Sequence, residues 1–198
     1  MDTGSDTMGE RLYQCGVAGD AACGKTTFLR MAWKERLMHE YNPTIGADMI
    51  PFRITHHGKD ILLRFWDTGG QERYKAIVRL FYRDCQYCLY FFSVANLQSF
   101  KQLDHWMEFV NDVNDHSVEG AIVGTHDDRP REVSKSVARA YANRKGMPYY
   151  ECCTYDLTRV NNIMDSILDT ITTGVDPREI RGGNIDLTVT NRECCKIA

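Results

Sequence analysis

The sequence has no apolar run long enough to cross a membrane, which takes roughly 18 uninterrupted apolar residues. Its best candidate, residues 87–94, is broken by Ser93 and followed by Asn96. Residues 1–10 bring Asp, Gly, Ser and Glu but no apolar core of a secretory signal, so secretion is not indicated. A basic excess is missing too. With 24 Lys and Arg against 27 Asp and Glu, the formal net charge of -3 leaves no basic field for nucleic acid. The 8 cysteines do not space out as a disulfide frame. Cys85 and Cys88 form a CxxC pair, but no second CxxC or HxxxH supplies the other two ligands of a zinc site. A soluble, cytosolic body is the expectation.

What is present suits one ordinary globular domain: 198 residues, 43% apolar and 26% charged, enough for a full core. Short apolar runs at residues 12–18, 52–56, 61–66, 88–94, 121–124 and 147–152 predict strands. Between them, residues 26–38, 99–114, 134–145 and 161–172 carry apolar side chains at helical spacing, as with Phe100, Leu103, Met107 and Val110. The turn formers His57, Gly58 and Lys59 between two β-rich runs predict the one hairpin of the sheet. Alternating strands and helices imply mostly parallel pairing with helices on both faces. The fold class is therefore α/β, a three-layer sandwich with a mostly parallel six-stranded sheet. The expected domains are a flexible N-terminus at 1–10, a folded domain at 11–172, and a flexible tail at 173–198, where Gly and scattered charges replace the periodicity.

The run GDAACGKT at residues 19–26 matches GxxxxGK[ST] and stands between the first predicted strand and the first helix, where that motif works. Backbone amides there and the helix N-terminus offer donors and positive dipole to a polyphosphate. The candidate phosphate site is Gly19, Asp20, Ala21, Ala22, Cys23, Gly24, Lys25, Thr26 and Thr27. Lys25 adds charge between the outer phosphates, and Thr26 is a candidate Mg²⁺ ligand. This motif does not separate ATP from GTP.

A second acidic element follows the third strand, in WDTGGQER at 66–73. Asp67 at a strand's C-terminal edge is placed to hold Mg²⁺, Gly70 offers an unobstructed amide to a terminal phosphate, and Gln71 is a candidate for orienting an attacking water. WDTGGQE resembles the WDTAGQE run of Rab-type small GTPases of the Ras superfamily, and PTIGAD at 43–48 resembles their first switch. The resemblance covers residues 11–172 and implies the P-loop GTPase fold, with Thr44 completing the Mg²⁺ shell when the third phosphate is present. It implies GTP and GDP as ligands, Mg²⁺ as cofactor, and Gln71 and Lys25 as the catalytic pair.

For the base, GTHDD at 124–128 resembles the family's [NT]KxD motif, with His126 in place of lysine. Asp128 would read the N1 hydrogen and amine of guanine and repel adenine, supported by Thr125. YECCT at 150–154 resembles the E-[TC]-S-A run, with Cys153 at its serine and Thr154 at its alanine. Other departures are Leu37 where an aromatic ring is usual, Ala21 and Ala22 in the phosphate loop, and Gly69 before Gly70. In the effector patch completed by Trp66, Met49 replaces a phenylalanine and Phe81 a tyrosine. The Ala21 and Ala22 methyls, close to the reacting phosphate, lead us to expect slow intrinsic hydrolysis.

Cys194 and Cys195 near the C-terminus are similar to Rab double-cysteine endings, and Cys195 also begins a CaaX-like box. Both imply prenylation, and with no polybasic run beside them two lipids make the more coherent anchor. The resemblance thus implies effector, exchange-factor and activating partners, vesicle traffic, and a place on the cytoplasmic face of an intracellular or plasma membrane with a cytosolic pool. Two other classes stand beside this switch: a nucleotide-holding module with little hydrolysis, and a P-loop ATPase or kinase, which Gln71 and Asp128 together disfavour.

Overall fold

The computed structural model describes residues 11–33, 47–56, 59–68, 75–114 and 116–173. Strand β4, Tyr87–Ser93, is buried along its whole length. Its alternation sends Tyr87, Leu89 and Phe91 into one core and Cys88, Tyr90 and Phe92 into the other. A strand apolar on both faces is stable only inside a sheet that helices cover on both sides, and that is its position here.

The other strands are β1 (Arg11–Ala18), β2 (Ala47–His56), β3 (Lys59–Thr68), β5 (Glu119–Thr125) and β6 (Tyr149–Cys152), and the spatial order is β2-β3-β1-β4-β5-β6. Only β2 and β3 run antiparallel, with His56 opposite Lys59, as the turn at 57–59 predicts. Helices α1 (Lys25–Ala32) and α6 (Leu157–Thr173) cover one face, packing Phe28, Leu29, Val160, Met164 and Ile167 against the sheet. Helices α2 (Lys75–Tyr82), α4 (Leu103–Asn114) and α5 (Lys135–Arg144) cover the other with Tyr82, Trp106, Val110, Ala138 and Tyr141. The three-layer α/β expectation holds. Each fully buried Phe or Leu contributes about 1.5–3 kcal/mol, and edge-to-face pairs such as Phe28–Phe91 at 5.3 Å add to that.

Three details depart from the pattern of the sequence. The helix expected at 99–114 is two, α3 (Leu97–Lys101) and α4, because the backbone breaks step at Gln102 and restarts with the Trp106 amide on the Gln102 carbonyl. Asn96 caps α3 by accepting from the Ser99 amide, which moves its start upstream. Helix α2 has no counterpart in the expected elements; eight residues are too few for periodicity to tell from a loop. Strands β2 and β3 are both longer than their apolar cores, since ladder hydrogen bonds continue into the polar ends. The expected continuation of α1 to residue 38 lies outside the described residues, as do both termini.

Strand β1 pairs with β3 on one side and β4 on the other, and connections diverge there in opposite directions. In an open parallel sheet such a switch point leaves a crevice at the strands' C-terminal ends. The ends of β1, β3 and β5 all open toward it.

Candidate phosphate and base site

The loop after β1 turns sharply into α1, and two of its residues permit no side chain. A Cβ at Gly19 would stand 2.3 Å from the Phe91 carbonyl oxygen. Gly24 caps α1 at φ +81, a left-handed conformation that L side chains rarely adopt. Ala22 takes φ 60 even though it carries a methyl group. Left-handed residues spaced through a loop that opens a helix suit an anion-binding concavity, and they stand here at the α1 N-terminus. Ala21 and Ala22 are exposed at its mouth.

Lys25 folds back over the loop. The residue is 5% exposed, and its ammonium donates to the carbonyls of Gly19 and Asp20, both at 2.8 Å. The Cys23 thiol donates to the Asp20 carbonyl at 2.9 Å; burial, foremost, pushes that thiol's pKa up, against the pull of the Lys25 charge. On the first turn of α1 the Thr26 hydroxyl meets the Asp67 carboxylate at 2.5 Å, although 41 residues separate them. Asp67 itself is 1% exposed at the end of β3. A hydroxyl and a buried carboxylate converging beside a cationic anion cradle form the hard-oxygen donor set that suits Mg²⁺. Thr27, next on α1, is half-buried.

The end of β5 comes to the same place. The Thr125 hydroxyl lies 2.8 Å from the Cys23 carbonyl oxygen and 3.1 Å from that of Phe92. His126 then turns left-handed at φ 58 and sets Nδ1 2.9 Å from the Ser93 hydroxyl. Burial, then the nearby Arg129 charge, lowers the His126 pKa below its ordinary 6.5, with Asp128 opposing. Asp127 is taken by Arg159 of α6 at 2.6 Å, whereas Asp128 is exposed. The half-buried Cys153 lies close enough to Asp128 and Asp127 for their charges to raise its thiol's pKa, although desolvation is the chief cause. Thr154 is 2% exposed, and its methyl would lie 3.3 Å from a Cβ on Gly24. The added bulk at this position is thus directed under the phosphate loop.

Phosphate, cation and base candidates therefore share one crevice. Thr44, Gly70 and Gln71, with Leu37 and Gly69, lie outside the described residues, as do Cys194 and Cys195. Cys85 and Cys88 are buried in the second core, and burial pushes the Cys85 thiol up to about 12. Two further contacts have no signal in the sequence, Ser93 behind His126 and Trp106 donating to Asp20 at 2.8 Å, because the partners are distant in the chain.

The family model described as Ras family matches residues 14–173, most of the chain. The chain belongs to the Ras family. The GTP-binding protein YPTC5 of Chlamydomonas reinhardtii is 33% identical over 154 residues, covering 73% of this chain and 75% of its own length. GTP-binding protein YPTM1 of Zea mays is 31% identical over 142 residues, 71% of this chain and 68% of its own. Ras-related protein Rab-11A of Dictyostelium discoideum is 29% identical over 170 residues, 85% and 79%. Within the Ras superfamily this is a Rab-like small GTPase.

The Rab-like patch is assembled on the end of β2 and β3 that also carries Asp67. In this Ras-family chain Met49 pairs across the ladder with Trp66, whose ring lies 4.7 Å from that of Phe81 at 34°. The Trp66 indole N–H donates to Gln14 at 3.0 Å, which holds the ring down across β1. Met49 remains 38% exposed.

Proposed function

We propose that this chain is a guanine-nucleotide switch that hydrolyses GTP to GDP and phosphate, slowly when alone, and recruits effectors to a membrane in vesicle traffic. One observation supports this most: the Thr125 hydroxyl joins the base loop to the phosphate loop at Cys23, while Thr26 and Asp67 converge beside the same loop. Loop amides and Lys25 receive the phosphates, Asp128 accepts from guanine's N1 hydrogen and amine, and Cys153 and Thr154 line the base side of the crevice. Thr26 and Asp67, with Thr44, would hold Mg²⁺, which when bound neutralises the outer phosphates. Gln71 orients the attacking water. Loss of the third phosphate then releases the segments bearing Thr44 and Gln71.

Effectors and regulators, including exchange factors and activating proteins, engage those segments and the Met49, Trp66 and Phe81 surface. Prenylation of Cys194 and Cys195 anchors the chain to the cytoplasmic face of an intracellular or plasma membrane; none of the described helices is long and apolar enough to cross one. Mass spectrometry of the protein from its native cell would find both cysteines lipidated, and unmodified thiols would remove the anchor.

The test of the switch is nucleotide content and single-turnover GTP hydrolysis with Mg²⁺, comparing the native chain with Gln71→Leu. Bound guanine nucleotide and slower hydrolysis in the variant are expected. The exposed methyls of Ala21 and Ala22 at the loop's mouth favour a second version, a nucleotide-holding module with little hydrolysis. Bound nucleotide with no turnover in either protein, and none gained by Ala21→Gly with Ala22→Gly, would establish that version.

A further inference from the structure

The phosphate loop of this chain is built around a residue that resists its shape. Ala22 stands at φ 60, where a Cβ is disfavoured and glycine is the residue that fits without strain. Left to itself, the loop would relax toward a shape that turns fewer amides inward. Something outside the loop must hold it.

Lys25 serves the ligand as well as the loop. Two of its three N–H groups hold the Gly19 and Asp20 carbonyls, so reaching more than one phosphate oxygen costs a loop bond. The Trp106 indole differs, because it donates to the Asp20 carboxylate at 2.8 Å and leaves the Asp20 backbone alone. Trp106 is 4% exposed and Asp20 half-buried, so the bond is partly shielded from water, and its acceptor is a carboxylate. The indole is itself braced: Phe109 packs edge-on to it at 6.2 Å and meets Tyr82 of α2 at 6.0 Å.

We propose that Trp106 is a positioning residue for the nucleotide, whose indole N–H, through the Asp20 carboxylate, holds the phosphate loop in the amide-inward shape that Ala22 opposes. This rests on residues 19–26 being the phosphate loop. Helix α4 thereby becomes part of the nucleotide site without touching the ligand.

The test is release of a fluorescent GDP analogue from the full-length chain with Mg²⁺. Trp106→Phe keeps an aromatic ring but removes the donor, and release should quicken about tenfold, the scale of a lost charge-assisted hydrogen bond. In the Ala22→Gly background, where the loop is no longer strained, the same change should matter less than about threefold. Asp20→Ala, approaching from the acceptor side, should quicken release as much and add little to Trp106→Phe. Unchanged release in Trp106→Phe, an equal effect in both Ala22 backgrounds, or full additivity with Asp20→Ala would overturn the proposal. Melting of the nucleotide-free proteins separates a general packing role, which would lower Tm and leave release unchanged. A native chain that retains no GDP analogue would overturn the phosphate-loop assignment itself.

Discussion

The Thr125 hydroxyl lies 2.8 Å from the carbonyl oxygen of Cys23, so the strand that leads to Asp128 is bonded directly to the candidate phosphate loop. Thr125→Val keeps the volume and removes the donor, leaving two buried carbonyls, Cys23 and Phe92, with one fewer partner. A net loss of about 1 kcal/mol is expected, read as roughly fivefold faster GDP release. Thr125→Ser retains the hydroxyl and should release at a rate near the native one. If valine and serine behave alike, the bond carries nothing.

The Thr26–Asp67 contact predicts how the chain depends on magnesium. Thr26→Ala and Asp67→Asn should each raise the Mg²⁺ concentration that half-protects bound nucleotide by about tenfold or more, with the carboxylate change larger because it removes charge. Nucleotide release measured across a Mg²⁺ titration checks this. A variant with native Mg²⁺ dependence would place the cation elsewhere.

Below the phosphate loop, two hydroxyls share one carbonyl. Thr68 Oγ1 and Tyr82 OH lie 3.0 and 2.9 Å from the Val17 oxygen and 2.7 Å from each other. Both ends of the stretch from 69 to 81, which includes Gln71, are thus tied to the root of the phosphate loop. Tyr82→Phe or Thr68→Val alone leaves Val17 one donor and should cost about 1 kcal/mol. The double variant leaves that oxygen without a hydroxyl, and should cost more than the sum. Urea unfolding of the four proteins would show the coupling, and simple additivity would refute it.

His126 predicts a pH dependence. Its folded pKa lies below the ordinary 6.5, because burial and Arg129 disfavour the imidazolium. The unfolded state therefore binds its proton first, and the contribution of neutral His126 to stability is full above 6.5 and is lost as pH falls toward the folded value. Glu151, whose pKa is lowered from 4.5, loses its contribution only below 4.5, so the two windows separate. His126→Gln should flatten the stability profile between pH 7 and 5.5 in denaturant titrations. An unchanged slope would assign it to another group.

Much of the fold was legible because burial on two faces leaves a signature along the chain. Residues 88–94 read as a strand since every position is apolar or small, and β4 (Tyr87–Ser93) covers all but the last of them. Helix α2 was not legible, since its eight residues follow a glycine pair and make barely two turns. Gln102 interrupts one periodic stretch, and nothing in its side chain announces the break between α3 and α4.

At the site, residue types and local spacing named Lys25, Thr26 and Asp67 as candidates, because a polyphosphate demands a glycine-bounded turn before a helix and a cation demands carboxylate and hydroxyl oxygens, and the resemblance to [NT]KxD named Thr125 and Asp128. The sequence by itself thus determined the three layers and the family, and it named a candidate phosphate loop. Only the tertiary structure decided that Thr125 bonds to Cys23, that Ser93 stands behind His126, that Thr154 packs under Gly24, and that Trp106 reaches Asp20 across 86 residues. Such contacts join strands and helices far apart in the chain, and their partners are chosen by sheet order and helix packing, for which one-dimensional spacing has no term.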